Sequence, residues 1–234
     1  MKNLTITSIG SISSCFKEKF GIPRQSGLVA SAKSQLILNK CFNEECVREL
    51  DSFSHIWLHF IFHQTASQGW KPMVRPPRLG GNKKVGVFAS RSPFRPNPIG
   101  LSVVELDSIE IKSSQVILHL KGCDLVDGTP VVDIKPYLPY VDAIPDSMAG
   151  YAKEKPIKKM EVLMDSEVIQ ACQYASIRLG ENIEVLVKQL LELDPRPSYH
   201  GTTNTQRIYS MKLYDFDLKW QYCENNTIKV LSIA

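Results

Sequence analysis

LSVVELDSIEIKSSQVILHLKGCDLVDGTPVVDI, residues 101–134, decides the class of fold. Two runs of aliphatic and β-branched side chains, residues 101–111 and 115–120, flank Lys112-Ser113-Ser114, and a third, residues 131–134, follows Asp127-Gly128-Thr129-Pro130. Segments that alternate in this way and turn on a few small polar residues form antiparallel strands. Outward from there, residues 4–7, 35–38 and 85–89 and the aromatic run HIWLHFIFH at 55–63 carry the same character, and Gly80-Gly81-Asn82 adds a turn. So many strands on short polar connections predict a closed or nearly closed antiparallel barrel. One short helix is expected to interrupt it at residues 43–50, with Asn43 as N-cap and Glu44 and Glu45 at the positive end of the helix dipole.

The pattern then changes. Residues 140–159 hold Pro145, Gly150, Pro156 and four lysines without periodicity, which reads as a connection. Asp165 can cap a helix carrying Val168, Ile169, Cys172, Ala175 and Ile177 that ends near Gly180. Asn182 can cap a second, with Val185, Leu186, Leu190 and Leu191 at helical spacing, and the alternating tail, residues 206–220 and 227–233, predicts a hairpin. The expected fold is therefore mainly β: an antiparallel β-barrel over residues 1–142, a linker over 143–159, and a small α+β domain over 160–234. Deleting everything after Lys159 should then leave a folded barrel of impaired activity.

Composition narrows the classes of function. With 43% hydrophobic and 22% charged residues, disorder is excluded as the main description. No run approaches the roughly 18 apolar residues of a membrane span. The start alternates, Leu4, Ile6 and Ile9 broken by Thr5, Thr7 and Ser8, unlike the apolar block of a signal peptide, so a cytoplasmic protein that does not engage membranes is expected. Six scattered cysteines with no C-x-x-C pair read as reduced packing thiols rather than metal ligands. The net charge of +4 says less than its distribution. From Ser52 through Val104 there is no Asp or Glu, while Lys71, Arg75, Arg78, Lys83, Lys84, Arg91 and Arg95 all fall inside that window. Such a patch suits a polyanion, and charge alone leaves open a solvated loop that merely avoids acids.

His55, His59 and His63 would stack on one helix face, but their neighbours favour a strand, where residues four apart lie about 13 Å from one another and share no ion. His63-Gln64, at the end of that strand, is the pair placed to face a ligand; His59 reads as packing. The most informative loop is GVFASRSPFRPNPIG, residues 86–100, in which Pro93, Pro96 and Pro98 restrict the backbone around Arg91 and Arg95. Stiff loops that carry guanidinium forks suit carboxylate or phosphate. Pro23-Arg24-Gln25 and Asp194-Pro195-Arg196-Pro197-Ser198-Tyr199 repeat the theme, and Asp133, Lys135, Tyr137, Tyr140 and Asp142 ride on a segment stiffened by Pro136 and Pro139. Dinucleotide, P-loop, zincin and serine-hydrolase signatures are missing from the sequence. The residues by themselves therefore indicate a β protein with several rigid arginine loops that binds an anion.

Taken in order, PRQSG (23–27), FHQ (62–64), SPFRPNPIGLS (92–102), DGTPVVDIKPY (127–137) and DPRPSY (194–199) resemble the TsaA-like family, also known as the TrmO family, over nearly the whole chain. The resemblance implies a β-barrel methyltransferase with a small C-terminal domain, usually a homodimer. The implied reaction moves a methyl group from S-adenosylmethionine to N6 of threonylcarbamoyladenosine beside the anticodon of threonine tRNA. Implied cofactor contacts are Pro23, Arg24, Gln25, His63, Gln64, Arg91, Leu101, Asp127, Gly128, Thr129 and Pro130, with Arg24 or Arg91 on the donor's carboxylate, Asp127 on its ribose or ammonium, and Leu101 against adenine. Asp133, His63 or a water would accept the proton. Arg95, Lys135 or Arg196 would pair with the threonyl carboxylate, with Tyr137 and Tyr199 beside them. The anticodon stem-loop would lie across residues 71–84, on Lys83 and Lys84, with bases stacked on Trp70 or Phe94. Two other readings stay open: a non-catalytic barrel that binds RNA, and a methyltransferase of this fold acting on a small molecule.

Overall fold

The strands close into a barrel because each gives every second side chain to a single interior. The computed structural model describes residues 5–158, 160–196 and 207–234. In it β1 (Gly10–Ser14) and β2 (Lys33–Leu38) lead to β3 (His55–Ile61), which passes into a one-turn helix, α1 (His63–Ala66). A separate two-stranded hairpin follows, β4 (Met73–Val74) with β5 (Val85–Gly86). Then β6 (Ile99–Lys112), β7 (Gln115–Lys121) and β8 (Pro130–Pro136) complete a closed six-stranded barrel in the order β1-β2-β7-β6-β3-β8, every pair antiparallel. Ile12, Leu36, Ile56, Leu58, Leu118, Leu120 and Val131 fill it, each essentially removed from water. Burial of such a side chain contributes roughly 1.5–3 kcal/mol, so period-two patterning is enough to choose the inner face. Ser113 and Ser114 take φ of 49° and 63°, the left-handed pair that lets a two-residue turn match the strand twist.

Several sequence expectations shift. Residues 5–7 form no strand, and Leu4 lies outside the described residues. Pairing begins at Gly10, where a Cβ would run into the Ile37 carbonyl oxygen. The expected helix at 43–50 is two short 3-10 turns, Glu44–Val47 and Leu50–Ser52, because Glu49 between them is left-handed at φ 65°. Asn43 still caps the first, accepting from the Glu45 amide at 3.1 Å. β3 stops at Ile61, short of His63, and residues 85–89 give a two-residue strand followed by a 3-10 turn, Val87–Ala89.

After a short helix, α2 (Pro139–Asp142), the chain crosses to a second unit. There β9 (Glu161–Leu163), α3 (Ser166–Leu179) and α4 (Ile183–Glu192) precede β10 (Ile208–Leu213), β11 (Phe216–Tyr222) and β12 (Thr227–Ile233). Asp165 and Asn182 cap the helices as their sequence position predicts, each accepting a backbone amide at 3.1 Å, and Gly180 ends α3 at φ 67°. The tail is richer than a hairpin: residues 208–222 fold back at Tyr214, and the sheet runs β10-β11-β12-β9 with β9 parallel to β12.

The core of this second unit includes residues from the first. Cys15, Phe16, Val29 and Ala32 are buried in the same cluster as Leu186, Leu190, Leu213 and Trp220. Tyr214 donates its amide to the Cys15 carbonyl at 2.7 Å, the Ser31 hydroxyl donates to Gln189 Oε1 at 2.9 Å, and Lys33 pairs with Glu181 at 3.0 Å. Phe20 stacks on Trp220 with ring centroids 5.8 Å apart, and Gly21, at φ 82°, sits so close to Met211 that a side chain there would collide with it. The loop that leads to Pro23 is thus backed by the C-terminal unit.

Candidate functional site

A cavity of about 480 Å³ opens at one end of the barrel, within the ~300–1,000 Å³ usual for small-molecule sites. Its floor is the end of β3 and the start of β6, where Gly100 lets the Phe60 ring lie against the backbone; a Cβ at Gly100 would strike that ring. Two loops form its sides. One brings Pro23, Arg24 and Gln25, and the other brings Ser90, Arg91, Pro93 and Arg95. Arg91 donates to Gln25 Oε1 and so ties the loops together, while the Gln25 amide donates back to the Arg24 carbonyl. The first loop is also pinned to the barrel, the Gly27 amide donating to the Gly122 carbonyl at 2.8 Å. His63 and Gln64 stand on α1 at the rim, and Lys19 reaches the Gln64 carbonyl at 2.8 Å.

Of the residues singled out in the sequence, Pro23, Arg24, Gln25, His63, Gln64, Arg91, Arg95, Leu101 and Thr129 line this cavity. Arg95 is partly committed: one terminal nitrogen donates to the carbonyls of Ser90 and Val87 at 2.8 and 3.2 Å and thereby shapes the second loop. Arg24 has its pKa drawn below the usual arginine value by desolvation, with Asp194 opposing and Arg78 adding to the shift. The loop after α4 and the basic hairpin therefore both lie within electrostatic reach of Arg24 in the same chain.

Other candidates sit elsewhere. Asp127 closes the end of the barrel, accepting from the Ser14 amide at 2.8 Å and pairing with Lys17 at 2.9 Å. Gly128, at φ 74°, makes that turn, and Pro130 opens β8. Asp133 pairs with Lys135 at 2.8 Å on the outer wall, about half exposed, and Tyr137 packs beside His55 and Trp57; none of these lines the cavity. Arg196 is held by Asp194 at 2.8 and 2.9 Å, with its guanidinium 3.8 Å from the Tyr222 ring centroid. Tyr199 lies outside the described residues. Lys83 and Lys84 are exposed on the connection between β4 and β5. That hairpin is tied to the second cavity loop: the Val87 amide donates to the Pro72 carbonyl at 3.0 Å, and Lys71 donates its amide to Phe94 at 3.2 Å.

Sequence reasoning missed Asp124. It lines the cavity just after β7, and one carboxylate oxygen, Oδ1, is buried without a hydrogen-bond partner. Burial pushes its pKa up to about 6, against the pull of the Ser102 hydroxyl, nearby backbone amides and Arg91. An acid set in the small and apolar run Gly122-Cys123-Asp124-Leu125-Val126 was the available signal. Ser102, Lys19 and Phe60 were missed as well. The wall offers four fixed cations, Lys19, Arg24, Arg91 and Arg95, with apolar surface from Ile22, Phe60, Phe62, Ile99 and Leu101. Such a set fits a ligand that has a carboxylate, a flat apolar ring and hydroxyls. Among the described residues no cluster of His, Cys, Asp and Glu could hold a metal, and no helix is long and apolar enough to cross a membrane.

Two family models match the chain one after the other. Residues 11–143 match the tRNA-methyltransferase O N-terminal domain, and residues 157–234 match the TrmO C-terminal domain. The tRNA (adenine(37)-N6)-methyltransferase of Escherichia coli (strain K12) is 47% identical over 222 residues, 94% of each chain. A Pseudomonas aeruginosa (strain PAO1) protein named as a candidate S-adenosylmethionine-dependent methyltransferase is 42% identical over 231 residues, 98% of this chain and 97% of its own. The crystal structure of TrmO from P. aeruginosa superimposes with a TM-score of 0.83 at 37% identity, covering 100% of this chain and 98% of that one. With both domains matched in order and the full length accounted for, the chain belongs to the TrmO family.

Proposed function

We propose that the chain is an S-adenosylmethionine-dependent tRNA methyltransferase acting in the cytoplasm on N6 of adenine 37, in its threonylcarbamoyl form. Its relatives supply the tRNA and the position, since the E. coli protein is named for that reaction. The observation that carries the reading is the cavity itself: two arginine loops, joined by the contact between Arg91 and Gln25, close an apolar-floored site whose outer side continues into the basic β4–β5 hairpin. A donor bound there would lie beside the surface that meets the anticodon loop.

S-adenosylmethionine, when bound, supplies a methyl group on a positively charged sulfur. The chain's own task is alignment and exclusion of water. Arg24 and Arg91 hold a carboxylate at the rim, Leu101 and Phe60 offer flat apolar contact, and Gln64 and Thr129 offer polar groups for hydroxyls. Of the two side chains expected to take the N6 proton, His63, on the turn that follows β3, lines the cavity, while Asp133, held by Lys135 on the outer wall, leaves that role. Arg95 keeps guanidinium donors beyond the nitrogen that shapes its loop, and these suit a threonyl carboxylate. An unmodified adenine would leave that arginine without its partner, which is the physical basis for rejecting it.

The test supplies labelled S-adenosylmethionine together with tRNA that carries or lacks the threonylcarbamoyl group. Label should enter only the modified tRNA. Equal labelling of both, or of neither, overturns the proposal. The reading includes a homodimer, supported by the exposed apolar side chains Tyr140, Val141, Ile144, Met148 and Ile157 on the connection between the units. Light scattering should give twice the 26.4 kDa of one chain, and the single-chain mass would remove the dimer.

A further inference from the structure

The cavity is unbalanced in charge. Lys19, Arg24, Arg91 and Arg95 bring four cations to its wall, and among the described residues that line it Asp124 is the only carboxylate. Asp124 is also built in rather than draped over the surface. It lies three residues past the end of β7 and two past Gly122, whose carbonyl receives the Gly27 amide at 2.8 Å; Ser102 of β6 lies beside it, and Oδ1 is sealed from water without a partner. Folding has buried an acid oxygen and left part of its hydrogen-bonding capacity unused, an arrangement that is unfavourable unless something arrives to use the charge.

Resting on the S-adenosylmethionine reading of this cavity, we infer that Asp124 is the residue by which the site distinguishes the charged methyl donor from its demethylated product. Donor and product share adenine, ribose, ammonium and carboxylate, so the arginines and the apolar floor grip both alike. They differ at sulfur. Methyl transfer forms a carbon–nitrogen bond as the carbon–sulfur bond breaks, the electron pair stays on sulfur, and the nitrogen gives up its proton; the sulfonium becomes a neutral thioether. A wall made only of cations would favour the neutral product and hold the enzyme in a spent state. One carboxylate in a weakly hydrated wall reverses that preference, because charge interactions there are much less screened than in water. Burial raises the Asp124 pKa to about 6, so the group is ionised at neutral pH, and an arriving cation favours that form further.

The experiment measures dissociation constants of S-adenosylmethionine and S-adenosylhomocysteine by calorimetry for the wild type and for Asp124→Asn. The variant should lose affinity for the donor by about tenfold or more and keep that for the product within about twofold, so that their ratio collapses. Equal weakening of both ligands overturns the inference, since it would put Asp124 on a shared group; an unchanged ratio overturns it as well. If the wild type binds neither ligand, the cofactor reading itself fails, and the inference fails with it. Should the variant not fold, the wild type alone decides: an analogue with a protonated amine in place of the methylated sulfur should bind with the donor's affinity, and binding at the product's affinity overturns the assignment.

Discussion

At Asp124 the sign of the pKa shift sets a stability prediction. The carboxyl is pushed up to about 6 from an ordinary 3.8, so the folded state holds its proton more firmly than the unfolded state does. The favourable contribution is therefore complete below the unfolded value and disappears as pH rises through about 6. Above that pH the buried charge opposes folding by up to about 3 kcal/mol, at 1.36 kcal/mol per pKa unit. Asp124→Asn should accordingly be more stable than the wild type to urea at pH 8, with the gap narrowing as pH falls toward 4.5. A variant less stable at pH 8 would show that the carboxylate is a structural hydrogen-bond acceptor instead. Its one signal in the sequence, an acid in a small and apolar run, is overshadowed by the acid three residues later. Asp127 opens a turn with Gly128 and is spent on Ser14 and Lys17. The arginines of the stiff loops were legible because proline and guanidinium together have few structural uses. Arg196 shows the limit of that argument: the same signature, satisfied internally by Asp194 and Tyr222.

Among the elements, alternation was a dependable guide wherever a strand has one wet face. β6 and β7 lie almost where the sequence puts them, and the turn at Ser113 and Ser114 is the predicted one. Elements set by a single backbone angle were not visible. Glu49 at φ 65° divides the expected helix, and Tyr214 at φ 49° turns a seemingly continuous tail strand into two. β9, only three residues long, is too short for any periodicity to register. The β4–β5 hairpin was legible as charge rather than as structure. Replacing Lys83 and Lys84 with alanine should weaken tRNA binding and lower the slope of log affinity against log salt by about 1.4–1.8, at 0.7–0.9 per released phosphate contact. Affinity for S-adenosylmethionine should not change. A wild-type salt slope in the double variant would take the hairpin out of the nucleic-acid interface.

For the whole molecule the structure argues against a freely separable barrel. The sequence suggests that cutting after Lys159 spares the first domain, yet Cys15 and Phe16, just past β1, are 0% and 1% exposed in a cluster built mostly from the C-terminal unit. A chain ending at residue 159 should melt at a lower temperature and bind the dye ANS through the uncovered surface. It should also lose affinity for S-adenosylmethionine, although no described C-terminal residue lines the cavity, because Phe20 and Gly21 lose Trp220 and Met211 behind the loop that carries Arg24. Intact affinity in the shortened chain would mean that the barrel holds this loop unaided.

The stacking of Phe20 on Trp220 also bears on how such proteins can be recombined. A tail exchanged between two relatives at the connection around residue 150 brings a foreign surface against segment 15–32, and the mismatch is felt in the first unit's ligand rather than in the graft. Functional chimeras should therefore transplant that early segment together with the tail, treating two stretches far apart in the gene as one inherited part.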